Sequence, residues 1–186
     1  MKIDYDFLFN QIKPKRVIPR IELDDAALGL VRGLEKFIGK DEYQWNEAYD
    51  HVASWLTDNG HKGLLMAGGN GMGKTTMERI LQVILGKYFT VKSGIEVRIA
   101  YSSAYDIRTV WDNYATYQII DDIGKEEGFF PQIVDRAEQR KQLLIFSTNL
   151  TKDELLAKYD GRTLDRMANI FKTVFFKGDS YRRAKI

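Results

Sequence analysis

Gly68-Gly69-Asn70-Gly71-Met72-Gly73-Lys74-Thr75 matches G-x-x-x-x-G-K-[ST]. Glycines let a backbone turn tightly and aim several N–H groups at one anion. A helix starting at the lysine adds its positive N-terminal end. In such a loop Lys74 reaches the β- and γ-phosphates of a nucleotide, and the Thr75 hydroxyl ligates Mg²⁺. Thr76 belongs to the same binding set. A second pair of candidates, Asp121-Asp122, ends the apolar run Ile119-Ile120. An acid at the C-terminal end of a parallel strand lies beside a phosphate loop. Asp121 is expected in the Mg²⁺ shell, and Asp122 is expected to orient or deprotonate an attacking water. Glu126, in the next loop, is the second-ranked base. Asn149 follows the run Leu143–Phe146 and offers an amide that could hydrogen-bond both the water and the γ-phosphate. The expected ligands are the phosphates of a nucleotide and Mg²⁺.

These residues need strands that end on one edge of a sheet. Leu64–Ala67, Val97–Tyr101, Tyr117–Ile120, Leu143–Phe146 and Phe171–Phe176 read as five strands, separated by helical patterns. Helices are expected from Asp24 or Asp25 as cap to Gly39, over the stripe Trp45 to Leu56, and from Lys74 to Tyr88. Others are expected over about 104–114 and 129–140, and after the capping-box pattern Thr151–Glu154. Pro131 suits the first turn of the helix over 129–140. Strand–helix alternation predicts an α/β fold with a parallel five-stranded sheet flanked by helices, of the P-loop NTPase type. Residues 1–22 read as an N-terminal extension and 23–186 as one ATPase core. The ten residues after Phe176 leave a minimal or absent helical lid.

Composition sets the outer bounds. The chain has 186 residues, 28 Lys+Arg against 26 Asp+Glu, no cysteine and two histidines. Thiol catalysis, Cys-ligated zinc and iron–sulfur clusters are therefore excluded. A net charge of +2 means that nucleic-acid binding has to come from local patches. Candidates are Lys13, Lys15 and Arg16, and the cluster Arg136, Arg140 and Lys141. No apolar run is long enough to span a bilayer, and the acidic start is unlike a signal peptide. The expectation is a cytoplasmic protein with no membrane partner. Trp45, Tyr49 and Trp55 share a helical stripe with Val52 and Leu56 and are expected in the core.

Together these motifs resemble the AAA+ ATPases, specifically the bacterial helicase loaders (DnaC- and DnaI-like) and the transposition helper IstB. The similar segments are Gly63–Thr76, Ile119–Gly124 and Ile145–Leu150. Gly161-Arg162-Thr163-Leu164-Asp165-Arg166-Met167 resembles the family's arginine-finger box, and Gly178-Asp179-Ser180-Tyr181-Arg182 resembles its ending. Val17-Ile18-Pro19-Arg20 resembles the lead-in to the core. The resemblance implies that Asn149 is sensor 1 and that Arg166 is a finger acting on a neighbour's site, with Arg162 as the alternative. It implies that the nucleotide is ATP and that Arg182 contacts the γ-phosphate in its own subunit. It implies an ATPase that loads or remodels a replicative helicase in DNA replication and forms a homo-oligomer in the ATP state. An IstB-like helper of a transposase, or a nucleotide-dependent scaffold with little turnover, is the alternative. Single-stranded or duplex DNA is the other implied partner. Two departures stand out: little chain precedes the phosphate loop, where loaders carry a helicase-gripping domain. Between Tyr101 and Tyr117 there is room for one helix only, where the family commonly has an extra one used on DNA.

Overall fold

Apolar runs bounded by turn residues form the strands of a five-stranded, wholly parallel sheet of order β2-β3-β4-β1-β5. The computed structural model describes residues 17–86, 90–93, 96, 117–124 and 128–178. Its elements, in chain order, are α1 (Ala26–Phe37), α2 (Glu47–Thr57), β1 (Gly63–Ala67), α3 (Lys74–Leu85), β2 (Thr90–Ser93), β3 (Tyr117–Ile123), α4 (Phe130–Arg140), β4 (Leu143–Thr148), α5 (Lys152–Lys158), α6 (Gly161–Ile170) and β5 (Phe171–Phe175). Every residue of β1 and β4 is buried, as strands covered on both faces require. Four of the expected strands stand where the apolar runs lie. The edge strand is Thr90–Ser93; the expected strand Val97–Tyr101 and helix 104–114 lie outside the described residues.

The strand order positions the site. β1 lies between β4 and β5, and the chain leaves it through α3 to reach the far edge at β2. This reversal leaves a crevice at the C-terminal ends of β1, β4 and β3, where such sheets bind ligands. Helices flank the sheet: α3 packs on β3 and β2, and α2 and α6 on β5, while α1 lies against α2 and α3, and α4 against α6.

Local sequence explains most helix ends. Asn46 caps α2 by accepting from the N–H groups of Ala48 and Tyr49, and Thr151 and Glu154 form the expected capping box. Asp25 stands at the N-cap of α1, but its side chain makes no capping bond. Trp45 corrects the stripe reading. It precedes the N-cap, is 37% exposed, and its indole N–H donates to Asp50. Tyr49 and Trp55 are buried as expected. Residues 17–22 run against the body. Ile18 is buried, and the Asn59 amide donates to Pro19 O and Lys62 O while accepting from Ile21 N–H.

Candidate functional site

The phosphate loop leaves β1 in a conformation that needs glycine. Gly68 has φ 153°, and a Cβ there would collide with the Phe176 carbonyl. Gly73, at the N-cap of α3, is left-handed at φ 88°, a region that costs side-chain-bearing residues about 1–2 kcal/mol. The loop is tied to both neighbouring strands: Gly68 N–H donates to Thr148 O at 3.2 Å, and Phe176 N–H to Ala67 O at 2.7 Å. Lys74 is only 6% exposed. Its ammonium donates to Gly68 O (2.6 Å), Gly69 O (2.8 Å) and Asn149 Oδ1 (2.8 Å). Asn149 Nδ2 in turn donates to Asp122 Oδ1 at 2.8 Å. One amide thus links the loop lysine to the acid, across residues far apart in the chain.

Neighbouring residues of a regular strand point to opposite faces, yet Asp121 and Asp122 both line one cavity. A bulge resolves this. Between the pairs Ile120–Phe146 and Ile123–Thr148, three steps along β3 match two along β4. Asp122 takes the extra position with φ 60°, a conformation that Asp tolerates better than most residues. Ser147 holds the distortion: its hydroxyl donates to Asp121 Oδ1 at 2.7 Å and accepts from Asp122 N–H at 3.0 Å. Asp121 Oδ2 lies 3.5 Å from the Thr75 hydroxyl. A hydroxyl and a carboxylate side by side suit Mg²⁺, which takes oxygen ligands and keeps several of its waters. The donor set therefore fits that ion, which Thr75 and Asp121 would hold.

Glu78 belongs to no motif of the sequence, yet it stands beside the site. It is 1% exposed, on the buried face of α3 that also carries Lys74, Met77 and Leu81. Neither carboxyl oxygen has a hydrogen-bond partner. Burial pushes its acid up to about 8, and the nearby Asp121 and Asp122 push the same way, while the charge of Lys74 pulls it back. An acid four residues after Lys74, inside an apolar stripe, was the signal available in the sequence.

A pH dependence follows. The ordinary value is 4.5 and the folded value about 8, so the folded chain keeps a proton that the unfolded chain releases between them. Stability from this group is complete below 4.5, falls as pH rises through the window, and is lost above 8. Glu78→Gln should flatten that slope and raise stability above pH 8 by roughly 3–5 kcal/mol. Urea melts at pH 5 and pH 8.5 check it; equal pH slopes in variant and wild type would sink it.

The cavity measures about 570 Å³ and is lined by Asn70, Gly71, Met72, Gly73, Lys74, Thr75, Thr76, Asp121, Asp122 and Asn149. Phe37, Ile38 and Glu42, from the end of α1 and the turn after it, complete it. Gly68 and Gly69 take part through the carbonyls that hold Lys74. Arg166 is elsewhere. On α6, 24% exposed at its side chain, it is ion-paired with Asp135 and with Glu138 (3.0 Å), both on α4. Arg162, one turn earlier, is exposed. Arg182 and Glu126 lie outside the described residues, as do Lys13, Lys15 and Arg16.

A parallel sheet of this order, a glycine–lysine loop after β1 and two acids on β3, one strand beyond the intervening β4, define a P-loop α/β fold. Solved structures share it. A candidate primosome component from Streptococcus pyogenes serotype M3 is 17% identical, with a TM-score of 0.51 over 86% of this chain and 85% of that one. The DnaC helicase loader is 14% identical, with a TM-score of 0.55 over 74% and 95%. Replication initiator DnaA, bound to AMPPCP and single-stranded DNA, is 18% identical, with a TM-score of 0.54; 78% of this chain aligns with half of that one. No family model and no curated sequence matches the chain. Among the described residues no helix is long and apolar enough to cross a membrane.

Proposed function

We propose that this chain binds ATP with Mg²⁺, hydrolyses it, and acts in DNA replication by loading or remodelling a replicative helicase. The observation that carries the nucleotide reading is the hydrogen-bonded line Lys74–Asn149–Asp122 across the mouth of the phosphate loop. The likeness in fold to the DnaC loader and to DnaA supports the replication setting.

In this reading the Lys74 ammonium turns from the loop carbonyls to the β- and γ-phosphate oxygens. Asn149, then released from the lysine, orients a water and the γ-phosphate. Asp122 takes the water's proton as the new P–O bond forms and the bond to ADP breaks. Thr75 and Asp121 would hold Mg²⁺, which neutralises charge developing on the phosphates. The loop N–H groups from Gly69 to Thr76 cradle the phosphate chain, and Arg182 reaches the γ-phosphate from the same subunit. The core is residues 23–186, following an N-terminal extension.

Arg166 is the finger that enters a neighbouring subunit's site, so it must first exchange Asp135 and Glu138 for phosphate. Arg166→Ala should keep ATP binding and lose roughly 10³-fold or more of assembly-stimulated turnover. Phosphate release measured against protein concentration checks it. If that variant and wild type respond alike, Arg166 is not the finger and Arg162 becomes the candidate.

The whole reading is tested by phosphate release from the full chain alone, with single-stranded DNA, and with a replicative helicase. Release stimulated by the helicase supports it. ATP binding with no release under any condition favours a nucleotide-dependent scaffold, and stimulation by a transposase favours an IstB-like helper.

A further inference from the structure

Ser147 stands one layer behind the cavity. It is 0% exposed, near the C-terminal end of β4, and is not among the lining residues. Its hydroxyl nevertheless binds both acids that are. It donates to Asp121 Oδ1 at 2.7 Å and accepts from Asp122 N–H at 3.0 Å. A hydroxyl has one proton to give, and this one goes to Asp121. The two carboxylate oxygens of Asp121 are thereby made different. Oδ1 is committed to Ser147, and Oδ2 lies 3.5 Å from the Thr75 hydroxyl. Turning both oxygens toward Thr75 breaks the bond to Ser147, and the buried hydroxyl then loses its acceptor, which is costly.

Resting on the nucleotide and Mg²⁺ reading above, we infer that Ser147 is a positioning residue that sets the choice of divalent cation, by leaving Asp121 one oxygen for the ion. Mg²⁺ and Ca²⁺ differ in what they require of a carboxylate. Ca²⁺ takes about six to eight oxygens at about 2.3–2.6 Å and accepts a carboxylate through one oxygen or both. Mg²⁺ is smaller, holds to an octahedron at about 2.0–2.1 Å and keeps several waters, so one oxygen per carboxylate suits it. An Asp121 with a single free oxygen satisfies Mg²⁺ and withholds a donor from Ca²⁺. The bulge adds to this constraint. Because Ser147 also holds the Asp122 N–H, Asp121 is fixed through its side chain and through the next peptide. Groups that bind a metal's ligands from behind tune affinity for the metal. Removing this hydroxyl frees Oδ1 and lets Asp121 present both oxygens.

The test measures the affinity of the full chain for AMPPCP with saturating Mg²⁺, with saturating Ca²⁺ and with EDTA. Wild type should bind the Mg²⁺ complex more tightly than the Ca²⁺ complex. Ser147→Ala should narrow that preference about 10-fold or more, and leave metal-free binding unchanged. Ser147→Cys keeps a side chain of similar shape with a much weaker donor, so it should narrow the preference too, even where alanine disturbs the bulge. A preference unaltered in both variants overturns the inference, whether affinity is kept or is lost equally with both ions. A wild type that binds the two complexes alike overturns it as well. If Mg²⁺ adds nothing to AMPPCP affinity in wild type, the metal reading itself fails and the selectivity with it.

Discussion

Replacing Lys74 by alanine is expected to weaken ATP binding roughly 30- to 5,000-fold, the effect of about 2–5 kcal/mol. The ammonium is almost fully buried and donates three bonds, to Gly68 O, Gly69 O and Asn149 Oδ1. Each is charge-assisted, and such bonds are roughly twice as strong as neutral ones. These contacts hold the lysine at the loop mouth before ligand arrives, so little side-chain entropy remains to be lost on binding. Alanine removes the charge that meets the phosphates. It also leaves two loop carbonyls without that donor, so a modest loss of stability should accompany the loss of affinity. Lys74→Met keeps the apolar stem and separates the two effects: stability should recover in part, and affinity should not. Calorimetric titration with ATP and Mg²⁺ measures the first effect and urea melts the second. Wild-type affinity in both variants would refute the phosphate-loop assignment.

Asp122→Asn should leave ATP binding within a few-fold of wild type and reduce turnover about 10²- to 10⁴-fold, the usual scale for a general base. The substitution is conservative in backbone terms. Position 122 is left-handed at φ 60°, and Asn adopts that conformation as readily as Asp. The Asn carbonyl can still accept from Asn149 Nδ2, and the backbone N–H can still donate to Ser147. Only the capacity to take a proton is lost. Single-turnover phosphate release measures the effect. Undiminished release would move the base to another acid, and Glu126 is then the first to replace. Asp122→Ala is a poorer variant, because alanine at this φ strains the bulge and mixes folding with chemistry.

Several features were legible in the chain because they depend on residues close together. A phosphate cradle needs its glycines, lysine and hydroxyl in one turn, so Gly68–Thr75 announces itself. The capping box Thr151–Glu154 and the buried runs of β1 and β4 are likewise local, and local chemistry is what a linear reading resolves. The parallel sheet followed from the alternation of strand and helix patterns. Trp45 shows the limit of that reading. Its place in the apolar stripe was right by spacing, but Asn46 is the better cap, so the helix begins after it and the ring stays at the surface.

Contacts between distant segments decided the rest. Two adjacent acids can serve one cavity only because β3 bulges against β4 and Ser147 holds the bulge. No periodicity in Ile119–Ile123 signals this. Glu78 became an unusual acid because α3 packs against β3, which strips water from it beside Asp121. Arg166 stands among the acids of α4, since α4 and α6 pack together. Phe37 reached the phosphate loop through the antiparallel register of α1 on α3. Sequence by itself thus determined the loop, four of the five strands and the residue types available for chemistry. The tertiary structure decided which of them share a cavity and raised the Glu78 acid, because distance and desolvation arise only when remote segments pack.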